Sequence, residues 1–297
     1  MATYTEDQLE LYFQHIDYPR SKHPTDPLRF LTGLTKHHLH RVPFDSIGLH
    51  YSTHRLLSID PEDLFQKIVV NSRGGYCMEV NTFLATVLRS LQFAVYSTGA
   101  RVKHERWDHM VNLVTIGGQK YLVDVGFGSR EPTEPVPLVH GYEFVNIAPR
   151  RCRLEFKRLS GRGGAADAGD AAQRVWVYAA RKDDEAGWEE MYSFTEVEFF
   201  PGDFEMMNYF MMTRPESYFV QNVVAYRPVM YPETGAWVNE FVLHKDIVKR
   251  GETQGDHILW ELRGEEDRVR VLEKYFSIRL TEQERNSIQG RASELKT

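Results

Sequence analysis

Arg73-Gly74-Gly75-Tyr76-Cys77-Met78-Glu79-Val80-Asn81 puts one of the chain's two cysteines after a Gly-Gly turn and at the head of a predicted helix. Downstream, Val80, Leu84, Val87, Leu88 and Leu91 follow the three-and-four spacing of an amphipathic helix whose polar positions include Asn81, Thr86 and Arg89. Cys77 therefore falls in the first turn. Unpaired backbone N–H groups and the positive end of the helix dipole favour a thiolate there, so Cys77 is a candidate nucleophile. The competing reading is a buried, inert thiol that packs like a small hydrophobe.

A nucleophilic thiol needs a base, and the next informative stretch supplies one. His109 to Asp124 contains two strand-like runs around Gly117-Gly118, a strong hairpin signal. Pairing Ile116 with Gln119 sets Val111 opposite Asp124 and His109 opposite Gly126. His109 and Asp124 then become diagonal neighbours on one face, at a Cα spacing of roughly 7–8 Å that an imidazole and a carboxylate can close to a hydrogen bond. Asp124 would orient the ring and steady the imidazolium while the other ring nitrogen addresses the thiol. A helix-start Cys, a His and a same-face Asp make up the nucleophile, base and orienter that thiol catalysis requires.

Bulk composition limits the alternatives. At 297 residues and 42% hydrophobic content the chain can build more than one unit with real cores. A net charge of -6 argues against a nucleic-acid or anionic-membrane partner. Met1 to Gln8 has neither a basic nor an apolar signal region, and no apolar run reaches membrane-spanning length, so a soluble, cytoplasmic protein is expected. Two cysteines give no disulfide framework; Cys152, between Arg151 and Arg153, reads as a strand residue. His37, His38 and His40 lack a Cys or carboxylate at ligand spacing, so no metal site is predicted and a helix end before Val42-Pro43 explains them.

Periodicity divides the chain into three parts. Residues 1–92 read as a helical bundle carrying the nucleophilic Cys, with stripes at Leu9, Tyr12 and Phe13 and at Leu31, Leu34 and Leu39. Residues 93–200 read as mostly strands and carry His109 and Asp124; the small-residue stretch Ser160 to Asp170 is expected as a surface loop. Residues 201–297 read as a helix from Phe204 to Phe210, strands at Val223 to Tyr226 and Trp237 to Leu243, and a late helix with Val269, Leu272, Tyr275 and Phe276.

The catalytic block at 73 to 81, His109-Met110-Val111-Asn112-Leu113-Val114 and Val123-Asp124-Val125-Gly126-Phe127-Gly128 together resemble the arylamine N-acetyltransferases. Further similarity lies in His38 to Phe44, Tyr192-Ser193-Phe194, Asp203 to Asn208 and Thr213-Arg214-Pro215, so the resemblance covers essentially the whole chain. It implies an α+β multidomain fold with a cysteine-protease-like core: an N-terminal helical bundle, a central β-barrel, and a C-terminal α/β lid joined by a helical connector. By the same resemblance Cys77 would accept the acyl group, with His109 as base and Asp124 as its orienter. Phe44, Asp108, Phe127 and Ser129 would face the acceptor substrate.

The resemblance further implies an acyl-CoA cosubstrate, acetyl-CoA foremost with malonyl-CoA or propionyl-CoA open, and small aromatic amines or hydrazines as acceptors. For the coenzyme side, Arg106, Phe210, Arg214 and Ser217 are the candidates, the two arginines for phosphates or an acidic acyl group. Asp45-Ser46 stands where the family usually has Glu-Asn, so the polar network around Arg73, read as a structural residue, must be shorter or differently made. The rival function is a thiol hydrolase or transglutaminase-like enzyme using the same three residues, since that constellation recurs on unrelated folds.

Overall fold

A computed structural model describes residues 2–159, 173–252 and 255–296, so the stretch expected as a loop at Ser160 to Asp170 lies outside the described residues. The first third is built on three longer helices, Glu6–His15, Pro27–Arg41 and Cys77–Ser90, with shorter ones between them. Their starts follow capping chemistry: Thr5 accepts from the Gln8 backbone in a capping box, and Asp26 accepts from Arg29 with Pro27 in the first turn. One face of the Cys77–Ser90 helix buries Phe83, Leu84, Val87 and Leu88 against Tyr12, Phe13, Leu31 and Leu34. Val114, Val123 and Val125 of the hairpin close the same core, which ties that helix to both neighbours.

Eight strands between Ala94 and Phe194 form one antiparallel sheet, a nearly closed barrel with Val136–Pro137 and Tyr142–Val145 at its edges. The hairpin register matches the expectation from Ile116↔Gln119 through Asn112↔Val123 and then stops. The predicted Val111–Asp124 pairing does not form, and the cause is an insertion. The Asn81 amide donates to the Met110 carbonyl (2.8 Å) and accepts from the Val125 N–H (3.1 Å), bridging the residues that the same register would have set opposite one another. A side chain from the helix thus replaces a ladder step and frees Asp124 to turn toward the helix.

The helix Pro201–Thr213 leads into a five-stranded antiparallel sheet covered by the helix Glu265–Phe276. Its edge strand is Phe44–Asp45, which pairs with Tyr226 and Ala225. The first 92 residues are therefore not purely helical, as their periodicity suggested; two of them complete the C-terminal sheet. Among the described residues no helix is long and apolar enough to cross a membrane.

The network around Arg73 is differently made, as the Asp45-Ser46 departure implied. Its guanidinium grips both oxygens of Glu284 (2.9 and 2.7 Å) on the late helix Glu282–Asn286. Asp45 instead accepts from the Ile47 N–H (2.9 Å), and Ser46 bridges the Asn222 carbonyl and the Val224 N–H.

Candidate active site

Gly74 and Gly75 do not form the expected turn. They lie alongside Pro43 to Asp45, with Gly75 donating to the Pro43 carbonyl and accepting from the Asp45 N–H. A Cβ on Gly74 would sit 1.8 Å from the Pro43 carbonyl oxygen, so close backbone approach is what requires glycine there. The chain then enters the helix at Tyr76 with extended φ, and Cys77 is the first helical residue. Glu79 accepts from the Tyr76 N–H (3.2 Å) and pairs with Lys67 (2.5 Å), while the Tyr76 hydroxyl bonds Asn208 of the connector helix. The nucleophile's backbone is held from both sides.

His109 opens its strand at the rim of the sheet, and its Nε2 lies 2.7 Å from Asp124 Oδ2. The other carboxylate oxygen accepts from the Asn81 side chain and the Gly126 N–H, each at 3.0 Å, so Asp124 is fully engaged in a buried setting. Burial alone would push the imidazole's pKa down. The Asp124 charge and hydrogen bond, together with the side chain of Cys77, outweigh it and hold His109 up to about 10. With Nε2 committed to Asp124, Nδ1 is the nitrogen left to serve Cys77. The structure therefore brings Cys77, His109 and Asp124 together, and the Cys77 Sγ also approaches the Asp108 carbonyl at 3.8 Å.

A cavity of about 740 Å³ opens onto Cys77 and His109. Phe44, Asp108, Phe127 and Ser129, the four residues assigned to the acceptor side, all line it. So do Phe219, Tyr226 and Val242 from the C-terminal third, giving a largely apolar chamber. Phe127 stands edge-on to His109 with ring centroids 5.4 Å apart, and both rings lean on Tyr192. The loop that carries Phe127 and Ser129 is clamped from behind by Glu131, whose carboxyl accepts from the Gly128 N–H (2.9 Å). Burial, reinforced by the Asp124 and Glu240 charges, pushes Glu131 well above the usual carboxylate range and favours the neutral acid.

The coenzyme candidates form a separate group. Arg106 and Arg214 lie 5.9 and 5.2 Å from the Phe210 ring centroid on the outer side of the connector, and none of the three borders the cavity. Ser217 is buried next to Tyr218, which does border it. Cys152 sits in the strand Arg151–Lys157 as expected, receiving a hydrogen bond from the Tyr178 hydroxyl, and burial raises its pKa.

Sequence reasoning gave no role to Asn81, Tyr192 or Glu131. Asn81 could have been found, because it lies four residues after Cys77 and so shares its helix face. Tyr192 stood in a stretch marked only by its resemblance, and Glu131 carried no local signal, since what makes both part of the site is tertiary packing.

Residues 27–285 match a family described as N-acetyltransferase. The chain is 36% identical over 283 residues to the N-malonyltransferase FDB2 of Fusarium pseudograminearum, covering 88% of this chain and 81% of that protein. It is 28% identical over 286 residues to human arylamine N-acetyltransferase 1, covering 92% and 94% respectively. The solved structure of Mycobacterium marinum arylamine N-acetyltransferase in complex with CoA superposes with a TM-score of 0.80 at 25% identity, covering 97% of this chain and 100% of that one.

Proposed function

Because this chain belongs to the arylamine N-acetyltransferase family and is an acyl-CoA-dependent N-acyltransferase, we propose that it acylates aromatic amines through a covalent intermediate on Cys77. The observation that carries this reading is the contact between His109 and Asp124 at the wall of a cavity that also exposes Cys77. In the first half-reaction the Cys77 sulfur attacks the thioester carbonyl, and the bond from carbonyl carbon to the coenzyme sulfur breaks. The departing sulfur takes the proton from the His109 imidazolium and free CoA leaves. Exchange of one thioester for another is close to thermoneutral, so the acyl group stays activated on the enzyme.

In the second half-reaction the amine nitrogen attacks the acyl-Cys77 carbonyl, its proton passes to neutral His109, and the carbon–sulfur bond breaks to release the amide. The site returns to its starting charges. Arylamines and arylhydrazines suit this step because their nitrogen is unprotonated near neutrality, and Phe44, Phe127 and Phe219 offer flat apolar walls. The backbone N–H groups at the start of the Cys77 helix are candidate donors to the developing oxyanion. We assign the two arginines over Phe210 to phosphates of the coenzyme, on the grounds of charge and exposure.

The similarity to N-malonyltransferases supports malonyl-CoA as a donor beside acetyl-CoA. Initial rates over a grid of acyl-CoA and arylamine concentrations test the mechanism. Parallel double-reciprocal lines, abolished activity in Cys77→Ala and weak turnover of alkylamines are expected. Intersecting lines, or hydrolysis of the thioester with no amide formed, would overturn it.

A further inference from the structure

We infer that Ser293, acting through His50, is a positioning residue for the wall of the chamber that meets the amine, an inference that rests on the acyltransferase reading above. Tyr218 and Phe219 both line the chamber and lie on the helix Tyr218–Gln221. So short a helix leaves its last carbonyls without partners of its own. The Asn222 side chain donates to the Tyr218 carbonyl (2.8 Å), and His50, the last residue of the helix Ile47–His50, serves the next one. His50 Nε2 lies 2.9 Å from the Phe219 carbonyl and 3.0 Å from that of Asn222, so one imidazole closes the C-terminal end of the helix. The Phe219 ring then stands edge-on to Phe44 and Tyr76, with centroids 6.0 and 5.6 Å apart.

The tautomer of this ring follows from its partners. Carbonyl oxygens only accept, so Nε2 carries the hydrogen. Burial, against the pull of the two carbonyls and with Arg268 and Arg291 adding to it, lowers the His50 pKa to about 4, so the ring is neutral and Nδ1 is an acceptor. The Ser293 hydroxyl donates to it at 2.7 Å, from 243 positions further along the chain. Ser293, His50 and Asn222 are all buried, so removing the hydroxyl leaves Nδ1 unpaired away from water and frees the ring to turn from Phe219. The C-terminal segment itself stays docked without that hydroxyl. Arg268 donates to the Ser293 carbonyl (3.0 Å), and Arg291 donates to the carbonyls of Leu49 (2.6 Å) and Ser52.

The test compares the unsubstituted chain with Ser293→Ala, Ser293→Thr, Phe219→Ala and the double variant Ser293→Ala/Phe219→Ala, with melting temperature as the folding control. The acceptors are an arylamine and hydrazine, which has no ring to lay on Phe219. Acylation of Cys77 by acyl-CoA alone is followed separately by intact mass. Ser293→Ala should raise the arylamine KM about 3- to 10-fold while the hydrazine KM and the acylation rate stay unchanged, and Ser293→Thr should restore the arylamine KM. In the Phe219→Ala background the same substitution should add nothing, because the effect runs through that ring. Nitrogen NMR shifts of His50 should show the Nε2–H tautomer in the unsubstituted chain. An unchanged arylamine KM, an equal rise for both acceptors, or the full factor reappearing without Phe219 overturns the inference, as does an Nδ1–H tautomer. If Cys77 of the unsubstituted chain takes no acyl group, the acyltransferase reading fails first and the inference falls with it.

Discussion

The imidazole of His109 shows how single residues set this site. A ring so deeply buried would ordinarily favour its neutral form, yet the carboxylate at 2.7 Å reverses the balance and holds the pKa up to about 10. A folded-state pKa above the unfolded value of roughly 6.5 adds stability that is complete below that pH and is lost as pH rises through about 10. Asp124→Asn removes the opposing charge and leaves the burial, so the His109 pKa should fall below 6.5; NMR titration of the ring protons reads it directly. A ring that still titrates near 10 in that variant would mean another group holds the proton. Glu131 acts through hydrogen bonding alone, so Glu131→Gln should keep the Gly128 contact and the amine KM. Glu131→Ala should raise the KM several-fold and leave the acylation half-reaction nearly unchanged.

At the level of elements, the helix from Cys77 and the hairpin to Val123 were legible because each depends on its own periodicity and turn. Where the two meet was not legible. Asn81 breaks the ladder by a contact between residues 29 to 44 positions apart, and Phe44–Asp45 joins a sheet whose other strands begin at Val224. Such pairings depend on tertiary packing, which local pattern cannot report. Asn81→Ala leaves the Met110 carbonyl and the Val125 N–H without their buried partner, and should cost about 1–3 kcal/mol in urea unfolding together with most of the activity. Gly126 is squeezed between helix and hairpin: an added Cβ would lie 2.8 Å from the Cys77 Cα. Gly126→Ala should therefore push the nucleophile's helix away from His109 and slow acylation more than it lowers stability.

The whole molecule places its chamber where all its parts converge: Cys77 comes from the helices, His109 from the barrel-like sheet, and Tyr226 from the C-terminal sheet. Arg150 of the barrel segment reaches both oxygens of Glu240 (3.1 and 2.6 Å), and the Tyr226 hydroxyl adds a third contact at 2.8 Å. Glu240 is almost fully buried, so Arg150→Ala would strand its charge and should cost about 3–5 kcal/mol, seen as a lower urea midpoint. An unchanged midpoint would show that the two sheets are not coupled through this pair. The account as a whole depends on Cys77 carrying the acyl group between two substrates, and peptide mapping by mass after mixing with acyl-CoA alone tests this most directly. It predicts one acyl adduct, confined to Cys77 and discharged on adding an arylamine. An adduct elsewhere, or none while amide still forms, would contradict it.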